Sequence, residues 1–400
     1  MDHPQSCAAI LALGTAVPQY RIQQDSLTDW MIEAVGAGRA LTRWMRRLYA
    51  LSGITTRYAC IPDALYPPDQ SNFAPGRPLD EIHTTIERMA IYERESVGLG
   101  RTAAQQALAD YSAATDTDPA AVADTVTDLI VVSCTGFFAP GLDLMIARQL
   151  ELRPTVERTL VGFMGCSAAF NALRMAHHIV QGRPSARVLI VCVELCSLHI
   201  QPGQERENLI SASLFADGAS ACLVGMPQPE QHDAFVLQDF HTSIKPDSEN
   251  DMVWRIGNYG FTLRLSPQVP DQLGAVAPQA LRALVGDYKQ LQFWAIHPGG
   301  RAIVDRLVEI FALAPEQVAA SYAVLRDYGN MSSPTILFVL QAMRERLRRR
   351  HADAPLEGVA MAFGPGLVIE MAHLHYLPAA VTPAVESHPV WKGAAVEHLA

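Results

Sequence analysis

Short apolar runs alternate along the chain with longer segments whose apolar positions recur every three or four residues. That pattern predicts an α/β fold with mainly parallel strands. The strand runs fall at 129–133 (LIVVS), 188–194 (VLIVCVE), 220–224 (SACLV), 293–296 (FWAI), 359–363 (VAMAF) and 367–373 (LVIEMAH). They are apolar throughout rather than alternating, which predicts burial on both faces. Helical periodicity is strongest over 86–109, 166–181 and 334–349.

One plan recurs in both halves. A strand ends near Cys134, a turn and helix open at Cys166, and strands follow from 188 and 220. A second strand ends at His297, a turn and helix open near Asn330, and strands follow from 359 and 367. This places an N-terminal half at 1–228, a C-terminal half at 229–378 and a tail at 379–400, with 226–233 (MPQPEQHD) as the linker. Residues 64–80 read as a Pro-rich loop and 112–118 as a polar connection.

The chain has 400 residues, 49% of them hydrophobic, which is enough for a sizeable core. A formal net charge of -10 argues against a nucleic-acid binder. An anionic ligand would need a local basic patch or backbone N–H groups. No apolar stretch approaches the roughly 18–20 residues needed to span a bilayer. The N-terminal apolar run has no basic region before it and does not read as a signal peptide. The odd set of cysteines at 7, 60, 134, 166, 192, 196 and 222 is no disulfide framework and suggests a reducing, cytoplasmic setting.

Three motifs carry candidate chemistry. In 162–171 (GFMGCSAAFN), Cys166 stands at a turn that opens an Ala-rich helix. The positive end of that helix dipole would favour the thiolate. The plain alternative is a small thiol filling a core gap. In 294–302 (WAIHPGGRA), His297 ends an apolar strand, where open α/β sheets bind ligands; otherwise it is a satisfied core histidine. In 328–335 (YGNMSSPT), Asn330 lies in a turn before a long helix; alone it reads as a turn or cap residue. Together they suit decarboxylative thioester condensation. A thiolate takes an acyl group, and an imidazole supports it as an ion pair. The imidazole and carboxamide donors then face a carbonyl oxygen that becomes an enolate. This chemistry needs no metal and no cofactor beyond the coenzyme A thioester substrates. The Cys192/Cys196 pair has no partner pair and is not read as a zinc site.

These motifs, with Phe215 in SLFADGAS and the loop 363–367 (FGPGL), resemble those of type III polyketide synthases, the group containing chalcone synthase. The resemblance spans about residues 10 to 376. It implies a thiolase fold, five layers αβαβα from two duplicated halves, and a homodimer using acyl-CoA and malonyl-CoA. It implies an acyltransferase in which Cys166 carries the acyl group while His297 and Asn330 orient malonyl-CoA. Phe215 is implied as one gatekeeper, and Leu263 takes the place of a second, aromatic one. Trp254 stands where chalcone synthase has glycine. Cys134, Thr135, Cys196, His199 and Ser332 are implied cavity positions, with Gly364, Pro365 and Gly366 in the glycine loop. Ala139 is implied to reach the neighbouring subunit's cavity. Arg47 aligns with a family position that grips CoA, while Arg46 and Arg43 stand near others. These departures point to a fatty acyl starter and alkylresorcinol or alkylpyrone products. The alternatives left open are malonyl-CoA alone or an aromatic starter (tetrahydroxynaphthalene, phloroglucinol or chalcone type). A ketoacyl carrier-protein synthase of the starting type, or a thiolase-fold acyl binder without turnover, also remains.

Overall fold

A computed structural model describes residues 7–228, 233–350 and 354–378. Part of the expected linker, 229–232, and the tail 379–400 lie outside the described residues. The N-terminal half runs β1 (Ala9–Ala16), β2 (Tyr20–Gln23), α1 (Gln24–Ala34), α2 (Arg39–Leu51), β3 (Thr56–Ala59), α3 (Thr85–Thr115), α4 (Pro119–Thr125), β4 (Asp128–Ser133), α5 (Leu142–Gln149), β5 (Glu157–Gly162), α6 (Ala168–Gly182), β6 (Arg187–Leu195), α7 (Arg206–Leu214) and β7 (Asp217–Gly225). The C-terminal half continues with β8 (Ala234–Ile244), β9 (Met252–Gly257), β10 (Gly260–Leu265), α8 (Val269–Val285), β11 (Phe293–Ile296), α9 (Arg301–Phe311), α10 (Pro315–Tyr328), α11 (Thr335–Arg348), β12 (Leu356–Gly364) and β13 (Val368–Leu377).

A nine-stranded sheet forms the frame, in the order β11-β12-β13-β8-β1-β7-β6-β4-β5. Its halves meet at a short antiparallel ladder, Ala9 with Val236 and Ile10 with Phe235. The inner faces of both halves close on α6 and α11. Alanines 168, 172 and 176 repeat along one face of α6, so this helix can sit close to the strands. The run ILFVL makes α11 apolar on all sides at its start, as a helix walled in by neighbours requires. The outer face of the N-terminal half packs on α3, α4 and α5, and that of the C-terminal half on α8 and α9. The result is the five-layered αβαβα thiolase fold, with α6 and α11 as the duplicated central helices.

Strand direction departs from the sequence expectation. Among the described residues, only the β4–β5, β4–β6 and β11–β12 ladders are parallel. β1, β7 and β13 pair antiparallel with their neighbours and are nonetheless largely buried, so apolar runs do not by themselves reveal direction. The expected polar connection at 112–118 begins inside α3, which continues to Thr115 and ends where Asp116 turns left-handed at φ 51°. Among the described residues, no helix is long and apolar enough to cross a membrane.

Candidate active site

Cys166 sits in a single 3-10 turn, Gly165–Ser167, that leads into α6. The turn needs glycine at 165 on two counts. Gly165 has φ 67°, and a side-chain carbon there would lie 2.3 Å from Pro365 Cδ. Gly364 is equally confined, since a Cβ would meet Ser167 Oγ at 2.3 Å. The glycine loop therefore packs on the cysteine turn. Cys166 keeps some exposure, yet burial pushes its thiol up to about 11. The nearby Ser332 and Asn330 side chains oppose that rise.

His297 follows the last residue of β11, and its backbone N–H extends the ladder to Met361 O at 2.8 Å. The side chain is fully buried. Burial holds its imidazole down to about 3. Neither ring nitrogen has a hydrogen-bond partner among the described residues. Buried polar atoms are nearly always paired, so an imidazole with two idle nitrogens is built to meet something the protein does not supply. Burial opposes the expected ion pair, because it disfavours charge on each group singly. A proton passed from sulfur to imidazole would create both charges at once, so their attraction would act against that penalty.

Asn330 is locked by its neighbours. Its Nδ2 donates to Gly299 O at 3.0 Å, and its Oδ1 accepts from Ser332 N at 2.8 Å. Ser332 reaches that position with a φ of 59°. A parallel bridge stitches this turn to Phe215: Asn330 N donates to Leu214 O at 3.0 Å and Ala216 N to Asn330 O at 2.9 Å. With one Nδ2 hydrogen committed, the other is left for the cavity.

Cys166, His297 and Asn330 line one cavity with Cys134, Thr135, Cys196, Phe215, Trp254, Leu263, Ser332 and Pro365. A second cavity borders it through Cys196, Phe215, Trp254 and Leu263, and its far walls include Ile22, Leu27, Trp30 and Met31. Trp254 is held in the shared wall by its Nε1–H bond to Cys134 O at 2.7 Å. His199 lines the second cavity and is fully engaged, Nε2 with Thr135 O at 2.8 Å and Nδ1 accepting from Phe261 N at 2.9 Å.

Other expected positions lie outside these walls. Gly364 and Gly366 shape the loop while Pro365 alone of that trio faces the cavity. Ala139 is exposed at the surface and lines neither cavity of its own chain. Arg43, Arg46 and Arg47 are exposed on α2 and line neither cavity, and Arg46 is paired with Asp29 at 2.8 Å.

Glu194, at the end of β6, is a residue the sequence reading passed over. It is fully buried and accepts from Cys134 N at 2.9 Å, Thr135 Oγ1 at 2.8 Å and Ser333 Oγ at 2.7 Å. Burial raises its carboxyl to about 7 against those three donors. It joins the loop after β4 to the turn that carries Asn330. The clue was a lone acid closing the apolar run VLIVCVE.

Comparison with known proteins agrees with this geometry. Residues 2–228 match the family model described as chalcone and stilbene synthases, N-terminal domain, and residues 237–378 match the corresponding C-terminal domain. The chain is 32% identical over 376 residues to the alpha-pyrone synthesis polyketide synthase-like Pks18 of Mycobacterium tuberculosis, covering 92% of this chain and 91% of that one. It superposes on PKS-I of the brown alga Ectocarpus siliculosus with TM-score 0.84 at 28% identity, covering 94% of this chain and 100% of that one. The C-terminal type III polyketide synthase domain of Steely1 from Dictyostelium matches with TM-score 0.82 at 25% identity, covering 93% of this chain and 99% of that one. The chain belongs to the chalcone and stilbene synthase family and is a type III polyketide synthase, an acyltransferase that condenses thioesters with decarboxylation.

Proposed function

We propose that this synthase loads a fatty acyl-CoA starter on Cys166, extends it with malonyl-CoA and releases a cyclised alkylpyrone or alkylresorcinol. The observation that carries the catalytic reading is His297, whose unpartnered ring nitrogens share a cavity with Cys166 and Asn330. Sulfur attacks the starter thioester; the new C–S bond forms as CoA leaves and takes up the proton held on His297. Malonyl-CoA then loses CO2, and the electron pair of the broken C–C bond moves onto the thioester carbonyl as an enolate. His297 and the free Asn330 hydrogen face that oxygen. The enolate carbon attacks the acyl group on Cys166, and the sulfur leaves as thiolate. No step requires a metal or a further cofactor.

Apolar walls support the alkyl starter. Leu263 in place of an aromatic, with Cys196 and the Ile22–Leu27–Trp30–Met31 side of the second cavity, gives a chain somewhere to extend. The name of the Mycobacterium relative speaks of alpha-pyrone synthesis and supports lactone closure. Stacked Phe137 and Phe163, exposed beside Leu160, Met164 and Ala139, support a homodimer that buries this patch. Its CoA substrates and free thiols support a cytoplasmic enzyme. Arg47, with Arg46 and Arg43, would meet the CoA phosphates at the surface.

The test is purified enzyme with malonyl-CoA and a series of acyl-CoAs, with product masses read out. Pyrones or resorcinols from long alkyl starters bear the reading out. Use of malonyl-CoA alone, or of aromatic esters only, would replace it with the second reading within the family. Cys166→Ala abolishes polyketide formation; turnover in that variant would remove the covalent step.

A further inference from the structure

The open end of the β12–β13 hairpin carries a cluster that the condensation chemistry does not use. Glu357 lies opposite His375 in the antiparallel register, and His373 is two residues along the same strand and so on the same face. Each of the three offers one ligand atom, and those atoms all lie within 4.8 Å of one another. His375 Nε2 stands 3.6 Å from Glu357 Oε1. The two imidazoles meet edge to face with centroids 5.0 Å apart. The Nε2 atoms of both histidines are buried and have no hydrogen-bond partner among the described residues.

We infer that Glu357, His373 and His375 form a binding site for a divalent transition metal of the zinc class. Two imidazole nitrogens and one carboxylate are a donor set that suits zinc, with water completing the tetrahedron. Tetrahedral ligands at zinc distances lie about 3.3 Å apart, so the half-buried side chains need only small rotamer adjustments. Negative potential comes from Glu357 and from Asp239, which pairs in register with His373 on β8. The Glu357 backbone is fixed from outside the hairpin, its N–H donating to Gln292 Oε1 and its carbonyl accepting from Gln292 N, each at 2.8 Å.

The position says what such a metal would do. The hairpin's closed end is the loop at 364–366 that packs on the Cys166 turn. Glu357 is seven residues away from that loop, about 23 Å at the rise of a strand. A metal there clips the two strands together far from the reacting atoms. It stabilises the C-terminal half and leaves the condensation rate alone.

The experiment uses the whole chain after chelator treatment, titrated with Zn2+ by calorimetry and with Co2+ by absorption spectroscopy. The expected result is one site per chain that binds Zn2+ and not Mg2+ and raises the Tm by a few degrees. Its Co2+ complex shows no thiolate charge-transfer band. His375→Gln and Glu357→Gln, tested separately, each weaken binding at least about tenfold and remove the Tm shift, with kcat unchanged. If one variant misfolds, the other serves. Nitrogen couplings in the Cu2+ electron paramagnetic resonance spectrum of the unaltered chain give a test without substitution, two imidazoles being expected. A thiolate band, unchanged affinity in the folded variants, or the absence of two-imidazole coupling would overturn the assignment.

Discussion

His199 and His297 are both buried, and burial pulls both imidazoles down to about 3. Their surroundings differ in one respect. His199 spends both ring nitrogens on the protein and stacks on Phe261 with centroids 4.4 Å apart. His297 spends neither. His199 is a peg that fixes the β9–β10 hairpin against the loop after β4, while His297 is an unfilled valence held in place by a strand. Depth and perturbed protonation are common to both, so neither tells the two apart; unused hydrogen-bonding capacity among the described residues does.

The comparison is broken most directly by exchanging the two side chains' fates. His297→Gln should lower kcat for condensation by about 10²–10³-fold while leaving the Tm within a few degrees, because a donor aimed at the enolate is weakened and no hydrogen bond to the described residues is lost. His199→Ala should do the reverse. It frees the Phe261 N–H and the Thr135 carbonyl and leaves a cavity, destabilising the fold by about 2–3 kcal/mol with kcat per folded molecule within about tenfold. Equal loss of rate in both folded variants would end the distinction. Denaturant unfolding and steady-state kinetics measure the pair.

Alkylation of Cys166 sharpens it further. If the proton moves from sulfur to His297, iodoacetamide reactivity is already near its plateau at neutral pH. In His297→Gln the proton acceptor is gone and only Ser332 and Asn330 oppose burial, so the reactivity profile moves up toward about 11 and alkylation at neutral pH slows. His199→Gln should leave the profile where it is. A profile unchanged by His297→Gln would show that the imidazole does not share the thiol's proton.

The sequence made Cys166, His297 and Asn330 readable because each stands where an element ends and a glycine-marked turn begins. Such positions are local, and so is their pattern. Glu194 was not readable, since its meaning comes from partners far along the chain: Cys134 and Thr135 reach it across the N-terminal half and Ser333 from the C-terminal half. The same holds for β8, whose outer half is polar, and for β5, an edge strand with exposed side chains. Neither shows the apolar run that gave away β4, β6 and β12. The unpaired state of His297 was equally hidden, because sequence shows which donors exist and not which are left over.

The remaining expected effect concerns Glu194 and is read in stability alone. Its carboxyl is raised from 4.5 to about 7, so the folded chain holds a proton that the unfolded chain has released. Stability therefore falls as pH rises between about 4.5 and about 7 and levels off above, a loss of at most about 3 kcal/mol. Glu194→Gln should remove that slope. Urea midpoints of the two proteins at pH 5 and pH 7.5 (roughly the two ends of the window) decide it, and parallel changes would show that another group is titrating.

The backbone bridge between Phe215 and Asn330 has a consequence for how this enzyme can diversify. On the proposed mechanism, selectivity at the doorway and electrophilic assistance at the floor hang on one shared pair of peptide links. Remodelling of residues 214–216 to admit a new starter drags the carboxamide with it. On that mechanism a change of starter made at this wall changes rate in the same step, whereas one made at Leu263 or Trp254 acts on a ribbon anchored to the loop after β4 and not to Asn330.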